Sequence, residues 1–226
     1  MPTVIPNHSL LLLGEPKTGK THFSLTYPAP ILLVSLDLGA DFVIQKHYSG
    51  KDIKVLKYEL PIVDTLKPQA WAEPLWTRIK TDYETELNSK KYKTVILDTG
   101  TSLWEIIRYS FVEEQNRNQL RSRDYGEPNA RFTAILQKPI LMGINMVTIN
   151  HLKDEYVEDK STGKKVIDGF RRTNSYVDII ASSEFRKATK KMIVRIEDCR
   201  FDPMLTGIEL PNPSYADLMM LLGVKV

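Results

Sequence analysis

The stretch SLLLLGEPKTGKT, residues 9–21, decides the fold class of this 226-residue chain. It opens with a short apolar run, which predicts a buried β-strand. The next eight residues, Gly14–Thr21, match the pattern G-x-x-x-x-G-K-[ST] at every fixed position. A strand, a glycine-containing turn and a following helix are the setting in which backbone N–H groups surround phosphate oxygens. The stretch therefore predicts a phosphate-binding loop.

Each residue of this loop has an expected part in binding ATP. Lys20 can reach the β- and γ-phosphates, and Thr21 can offer its hydroxyl to Mg²⁺. The predicted cofactors are therefore ATP and Mg²⁺. Because successive backbone N–H groups curl around the phosphates, the predicted ATP-binding residues are Gly14, Glu15, Pro16, Lys17, Thr18, Gly19, Lys20 and Thr21.

A second acidic position completes the predicted metal site. Val95–Asp98 places a carboxylate at the end of a buried apolar strand, where an unpaired charge costs free energy. Magnesium held by Thr21 and, through a water, by Asp98 would supply the missing cation. The alternative, that Asp98 only caps the turn Thr99–Thr101, stays open.

Two further strand ends carry candidate catalytic residues. The apolar run Ile31–Leu36 ends in Asp37, and Met146–Ile149 ends in Asn150 and His151. The carboxyl ends of parallel strands meet at the edge of the sheet where ligands bind. We predict that Asp37 polarises the attacking water and that His151, or Asn150, contacts the γ-phosphate. A helix-capping acid and a structural histidine are the alternatives.

Continuous apolar runs separated by helices predict an α/β fold with a mostly parallel sheet covered on both faces. The predicted strands are 9–13, 31–36, 54–58, 94–97 and 146–149. The predicted helices are 21–27, 69–88 with an interruption at Pro74, 102–115 and 130–141. After His151 we predict a hairpin over 156–168 that turns at 161–164, an antiparallel pair over 177–185 and 192–197, an edge strand at 208–210, and a helix over 215–222.

Length and composition indicate one soluble globular domain over residues 1–226. The chain is 42% hydrophobic and 26% charged, values typical of such domains. A single cysteine, Cys199, excludes an internal disulfide and fits a reducing compartment. The early apolar run Leu10–Leu13 is too short for a membrane span, so we expect a cytoplasmic protein without a membrane partner.

The basic residues are unevenly distributed along the chain. The net charge is only +3, yet eleven Lys or Arg and five Asp or Glu lie between Lys160 and Arg200. Such an excess can bind a polyanion, or it can be a solvated surface. Both interpretations stay open on charge alone.

Four segments in order, GEPKTGKT, ILLVSLD, KTVILDTGTSLWE and MVTINHLKDE, together resemble the RecA-like core. They are most similar to compact phage and prophage ATP-binding proteins, among them RecA-like single-strand annealing proteins. The resemblance covers roughly residues 7–210 and includes Arg123–Gly126. It implies a RecA-like P-loop NTPase core, a homo-oligomer, single-stranded DNA as partner, phage replication or recombination proteins as further partners, and the host cytoplasm as location.

The resemblance also implies residue roles and one departure. The phosphate loop, Asp98 and His151 match the two nucleotide motifs and the polar sensor of these proteins. Asp37 falls where they have a catalytic glutamate, and its side chain is one methylene shorter, which implies slow hydrolysis. No glutamate directly follows Asp98, and this argues against AAA ATPases and terminase motors.

In RecA-like cores the loops after the second-motif strand and after the sensor strand face DNA. Their counterparts here are 117–129 and 153–174. Cations can follow phosphates and aromatic rings can stack on bases, although both segments can also be ordinary solvated loops. The predicted DNA-binding residues are Arg121, Arg123, Tyr125, Lys164, Lys165, Phe170, Arg171 and Arg172.

The favoured function is therefore an ATP-dependent single-stranded-DNA-binding protein, with a slow DNA-stimulated ATPase, in recombination, strand annealing or replication. One alternative is a nucleotide or nucleoside kinase, for which 169–174 would serve as a lid over the phosphates. The other alternative is an ATP-gated scaffold for replication proteins that does not hydrolyse ATP.

Overall fold

The computed structural model describes residues 7–37, 39–61, 70–117 and 119–224. Within these ranges the strands are β1 Ser9–Leu13, β2 Ile31–Ser35, β3 Ile53–Lys57, β4 Thr94–Asp98, β5 Asn145–Val157, β6 Lys160–Asp168, β7 Ile179–Arg186, β8 Lys191–Cys199 and β9 Glu209–Pro211. The α-helices are α1 Lys20–Ser24, α2 Ala40–His47, α3 Ala72–Asn88, α4 Gly100–Glu114, α5 Gly126–Leu141 and α6 Tyr215–Leu221.

The strands form one mixed sheet in the order β3-β2-β4-β5-β1-β7-β8-β9, with β6 paired to β5. Neighbours from β3 to β7 are parallel. The pairs β7–β8, β8–β9 and β5–β6 are antiparallel. The predicted α/β architecture, mostly parallel with antiparallel strands near the C-terminus, is confirmed. The strand that leads into the phosphate loop, β1, lies beside β5.

Both faces of the parallel sheet are buried, and the side-chain alternation of the strands explains how. In β4, Val95 and Leu97 pack against α3, α4 and α5, whereas Ile96 packs on the other face with Phe23 of α1 and Leu218 of α6. Because both faces are apolar, these strands read as continuous hydrophobic runs in the sequence. The rigid sheet holds the ends of β1, β2, β4 and β5 side by side.

Helix α2 was not predicted. Among its eight residues only Ala40 is buried. Ala40, Val43 and Ile44 do form an apolar stripe, and Val43 and Ile44 pack partly buried against the core. The helix has only eight residues, about two turns, which is too short a pattern for a prediction from spacing alone. The helix matters because it follows Asp37 and forms one wall of the site described below.

Two predictions about turns and breaks are wrong. The hairpin after His151 turns at Glu158 and Asp159, not at 161–164. These two residues have φ of 50° and 61°, as a two-residue type I′ turn requires. Pro74 does not interrupt α3, because it lies in the first turn, where the backbone N–H has no partner within the helix. Gln69, the predicted start, lies outside the described residues.

The C-terminal predictions are confirmed. Strands β7 and β8 form the antiparallel pair, β9 follows as an edge strand, and α6 begins after Ser214, whose hydroxyl accepts a hydrogen bond from the Asp217 N–H. In the part of the chain that the structure describes, no helix is both long enough and apolar enough to cross a membrane.

Candidate nucleotide-binding site

The phosphate loop connects β1 to α1 at the carboxyl edge of the sheet. Gly19 has φ of 90°, a left-handed conformation that glycine adopts without strain and that lets the chain turn into α1. The first residue of α1 is Lys20, so the unpaired N–H groups of this helix start inside the loop. The predicted strand, loop and helix are thus present in this order.

Lys20 lies inside the curve of the loop. Lys20 is only 6% exposed. Its Nζ donates hydrogen bonds to the carbonyl oxygens of Gly14, at 2.9 Å, and Glu15, at 2.7 Å. Burial lowers the pKa of Lys20, while the nearby carboxylates of Asp98 and Glu15 act in the opposite direction. The loop therefore holds a cation among backbone groups, where it can meet a phosphate.

Thr21 and Asp98 are brought together from α1 and β4. The Thr21 hydroxyl donates to Asp98 Oδ2 at 2.7 Å. Asp98 is 2% exposed, and burial raises its pKa to about 6 against the opposing effect of the Thr21 hydrogen bond. A carboxylate and a hydroxyl oxygen are ligands that Mg²⁺ prefers, and a cation would offset the cost of burying the acid. The residues present fit a magnesium ion.

The alternative role of Asp98, as a cap for the following turn, is not what the structure contains. The N-cap of α4 is Thr99, whose Oγ1 accepts from the Ser102 N–H at 3.2 Å. Asp98 is the last residue of β4, and its side chain bonds to Thr21 instead. Its carboxylate is thus available to a metal ion.

The predicted strand-end residues line one cavity of about 550 Å³. That volume lies within the range of small-molecule sites. Asp37 from the end of β2, Asp98 from β4 and His151 from β5 line it together with Lys20 and Thr21. The full lining is Pro16, Lys17, Gly19, Lys20, Thr21, His22, Asp37, Gly39, Phe42, Val43, His47, Asp98 and His151.

His151, and not Asn150, contributes to this cavity. The His151 ring is half-buried, and its Nδ1 has no hydrogen-bond partner among the described residues. Burial and the positive charge of Lys20 lower its pKa, so the imidazole is neutral at pH 7. Asn150 is fully buried and donates to the Asp168 carbonyl oxygen at 3.1 Å. Of these two residues, His151 is the one that lines the cavity and can hydrogen-bond a phosphate oxygen there.

Asp37 is exposed at the mouth of the same cavity. It does not cap α2, because the N-cap of that helix is Gly39 and no side chain makes a capping hydrogen bond there. An exposed carboxylate in this position can polarise a water molecule. Glu105, an acidic residue of α4, does not line this cavity but a different one.

One wall of the cavity was missed. Phe42 and His47 come from the unpredicted helix α2, and His22 follows the motif directly. Phe42 is 67% exposed, and the rings of His22 and His47 stack with centroids 5.1 Å apart. Flat apolar surfaces of this kind can hold a nucleobase by stacking. Phe42 lies outside the apolar stripe of α2, and nothing in the sequence indicated that its ring would line the cavity.

The antiparallel strands β7 and β8 support the loop from behind, which the sequence did not indicate either. Thr18 Oγ1 and Ser183 Oγ are 2.7 Å apart, and a Cβ on Gly14 would lie 2.5 Å from the Ser183 carbonyl oxygen. A Cβ on Gly19 would lie 2.4 Å from Met192 Sδ. Gly14 is therefore required by close packing against backbone, whereas at Gly19 the contact is with the flexible Met192 side chain and adds to the demand of the left-handed φ.

The candidate DNA-binding residues divide into three groups. Six of them lie at or near the surface: Arg121, Arg123, Tyr125, Lys164, Arg171 and Arg172. Lys165 is also exposed, but its Nζ pairs with Glu15 at 3.2 Å and with Asp154 at 3.0 Å, which ties the hairpin to the phosphate loop.

Phe170 is the exception, and its predicted role in base stacking is wrong. The residue is 3% exposed, and its ring packs on Trp104 at 5.0 Å and on Phe132 at 5.3 Å between centroids. A ring enclosed in this way offers no face to a base. Phe170 belongs to the core between the sheet, α4 and α5.

Comparison with known proteins identifies the class. The model of the family AAA_24, described as AAA domain, matches residues 7–207. The chain therefore belongs to this family of AAA domains, which are P-loop ATPases. Membership supports ATP binding and a nucleotide-dependent activity, and it implies a nucleotide and usually Mg²⁺. The prediction against AAA proteins, made from the absence of a glutamate after Asp98, is thus wrong for this family. A search of curated proteins found no match.

Proposed function

We propose that the chain is an ATP-gated single-stranded-DNA-binding protein of the RecA-like type. It acts as a homo-oligomer in the cytoplasm, in phage-type recombination, strand annealing or replication alongside other proteins of these processes. Thr21 and, through a water, Asp98 would hold Mg²⁺, which would neutralise phosphate charge when bound. Asp37 orients the attacking water, and His151 contacts the γ-phosphate. DNA stimulates a slow hydrolysis that releases the strand.

One observation carries this proposal, a hydrogen-bond network between the nucleotide cavity and the cationic segment 168–172. Thr101, in the first turn of α4, donates from Oγ1 to the Asp168 carbonyl oxygen at 2.6 Å. The same Oγ1 accepts from the His151 N–H at 3.0 Å. The Thr101 hydroxyl thus connects His151, which lines the nucleotide cavity, to Asp168. Asp168 begins the segment that contains Arg171 and Arg172.

Close packing makes this connection stiff. Asn150 is fully buried, and a Cβ on Gly100 would lie 2.6 Å from its Oδ1, while a Cβ on Gly169 would lie 2.8 Å from its Nδ2. A shift of His151 toward a phosphate therefore moves Asn150 against both glycines. For the two sites to be coupled, the proposal requires this network to take a second arrangement when ATP is bound.

The test is the affinity for a fluorescent oligo-dT, measured by anisotropy without nucleotide, with ADP and with a non-hydrolysable ATP analogue at two salt concentrations. We expect tighter, salt-sensitive binding with the analogue and no such gain in Lys20→Ala. Lys80→Ala is the matched control, since it removes an equal charge from the exposed side of α3. Equal affinity in all nucleotide states would contradict the gating, and no binding in any state would contradict the DNA partner.

The network itself is tested by Thr101→Val, which keeps the shape of the side chain and removes the hydroxyl. We expect this variant to bind the ATP analogue with unchanged affinity but to lose the gain in DNA affinity. Thr85→Val, on the exposed surface of α3, is the control. Full gating in Thr101→Val would show that the coupling follows another route.

A second candidate is the ATP-gated scaffold without hydrolysis, which the short side chain of Asp37 favours. ATP turnover, measured as phosphate release in the presence of saturating oligo-dT, distinguishes the ATPase from the scaffold. Release above the level of Lys20→Ala supports the ATPase, and a stable ATP complex without release supports the scaffold.

A further inference from the structure

A second cavity, of about 390 Å³, opens on the other side of the Thr101 network. It lies between α4, the 3-10 helix Ser122–Tyr125, the start of α5 and the segment after β6. Thr101 lines it together with Trp104 and Arg108 from α4, Tyr125, Arg171 and Arg172. Its volume suits one nucleotide unit and excludes a duplex.

Three guanidinium groups converge on this cavity. The Nε of Arg108 is buried and has no hydrogen-bond partner among the described residues. Arg171 and Arg172 are exposed and take part in no ion pair within the part of the chain that the structure describes. A buried donor without a partner costs free energy, which an anion in the cavity would recover.

Acidic groups in the walls only partly offset these cations. Asp168 is paired with Lys153, at 2.8 Å between Oδ1 and Nζ. Glu105 is the other carboxylate of the lining, and it is exposed. With the Lys153–Asp168 pair balanced, three arginines face one carboxylate, so the cavity carries a net positive charge.

The floor of the cavity is aromatic. Trp104 is buried against Phe170, and Tyr125 lies half-buried with its ring centroid 6.5 Å from that of Trp104. Arg172 lies over the ring of Tyr176, with its guanidinium carbon 5.8 Å from the centroid. An aromatic surface beside guanidinium groups is suited to a base and its phosphate together.

We infer that this cavity binds one nucleotide of single-stranded DNA, with the phosphate on Arg108 and Arg171 and the base against Tyr125. The inference rests on the proposed function and adds Arg108, which no sequence pattern had indicated. A DNA strand is favoured over a free nucleotide because two exposed arginines, Arg121 and Arg123, lie a few residues before Tyr125 in the sequence. They can contact the phosphates on either side of the bound nucleotide. Its wall includes Thr101, through which the ATP cavity can act on it.

The first test compares Arg108→Gln with Arg78→Gln in the oligo-dT assay with the ATP analogue. Arg78 is an exposed arginine of α3, so its variant loses the same charge away from the cavity. We expect at least a tenfold loss of DNA affinity in Arg108→Gln, a salt slope lower by about one, and unchanged affinity for the ATP analogue. Arg78→Gln should behave as wild type. Arg108→Lys, which keeps the charge, guards against a loss of folding and should bind DNA more tightly than Arg108→Gln.

The second test locates the base. An oligo-dT with a single 4-thiothymidine is photo-crosslinked to the wild-type protein, and the crosslinked peptides are mapped by mass spectrometry. We expect crosslinks in the peptides that contain Trp104 or Tyr125. Crosslinks confined to other peptides, such as the tip of the β5–β6 hairpin, would overturn the inference.

The outcomes separate this inference from the proposed function. ATP-gated DNA binding that is equal in wild type and Arg108→Gln overturns the cavity assignment and leaves the function standing. Arg108-dependent binding of free dTMP, without oligo-dT binding, makes the cavity a free-nucleotide site and overturns the assignment to a DNA strand. No oligo-dT binding by wild type in any nucleotide state overturns both.

Discussion

Gly19→Ala tests whether the C-terminal strands shape the phosphate loop. A Cβ at this position would lie 2.4 Å from Met192 Sδ, far inside contact distance, and the backbone has φ of 90°. Holding alanine in a left-handed conformation costs about 1–2 kcal/mol. Forcing a methyl group into a filled space costs about 1–3 kcal/mol more. We therefore expect a loss of about 2–5 kcal/mol in the free energy of unfolding.

Met192→Ala separates the two contributions. In that background the new methyl group has space, so Gly19→Ala should cost only the backbone strain of about 1–2 kcal/mol. The assay is urea unfolding of wild type, the two single variants and the double variant. Each variant is also titrated with a fluorescent ATP analogue, since a displaced loop loses its phosphate contacts.

Two results would refute this reasoning. A loss below about 0.5 kcal/mol in Gly19→Ala would mean that the loop has another conformation, with neither strain nor contact at Gly19. An equal cost in both backgrounds would mean that Met192 does not pack there. Met204→Ala, which shortens an exposed methionine, is the control for the truncation itself.

Three further predictions concern buried groups. Asp98→Asn removes an acid whose burial raises its pKa to about 6, so the free energy of unfolding at pH 7 should rise by about 1–3 kcal/mol in urea titrations. The same variant should lose about tenfold or more in Mg²⁺-dependent ATP affinity, and an unchanged affinity would remove Asp98 from the metal site. Burial lowers the pKa of His8 to about 4, so between pH 6.5 and 4 the unfolded chain binds a proton that the native state excludes. Stability should therefore fall by roughly 2–3 kcal/mol from pH 7 to 4.5, and His8→Phe should lose less over that range; parallel pH curves would contradict the assignment. Phe170→Ala should lower the free energy of unfolding by about 3–5 kcal/mol, whereas a stable variant with weak DNA binding would restore its predicted contact with bases.

The position of the strand-end residues at one edge of the sheet could be predicted because their signals are local in the sequence. The phosphate loop follows a strand directly, and Asp37, Asp98 and His151 each end an apolar run. Parallel pairing then brings these ends to one edge, as the registers of β2, β4 and β5 confirm. The fold class and the part of the cavity lining that comes from the strand ends follow from the same pattern.

Other parts of the site depend on contacts that the local pattern does not contain. Ser183 and Met192 meet the phosphate loop across more than 160 positions of sequence, through the pairing of β7 with β1. Phe170 lies in the segment 153–174, which the resemblance predicts to face DNA, yet α4 and α5 enclose its ring. Arg108 lies in the middle of a helix, where its direction toward a cavity depends on the packing of α4 against its neighbours.

ATP binding with Mg²⁺ in the cavity at the sheet edge is the step on which the proposed gating depends. Isothermal titration with a non-hydrolysable ATP analogue, in Mg²⁺ and in EDTA, measures this binding. We expect one nucleotide per chain in Mg²⁺, weaker binding in EDTA, and no detectable binding to Lys20→Ala. Equal heats for wild type and Lys20→Ala, or binding indifferent to Mg²⁺, would contradict it.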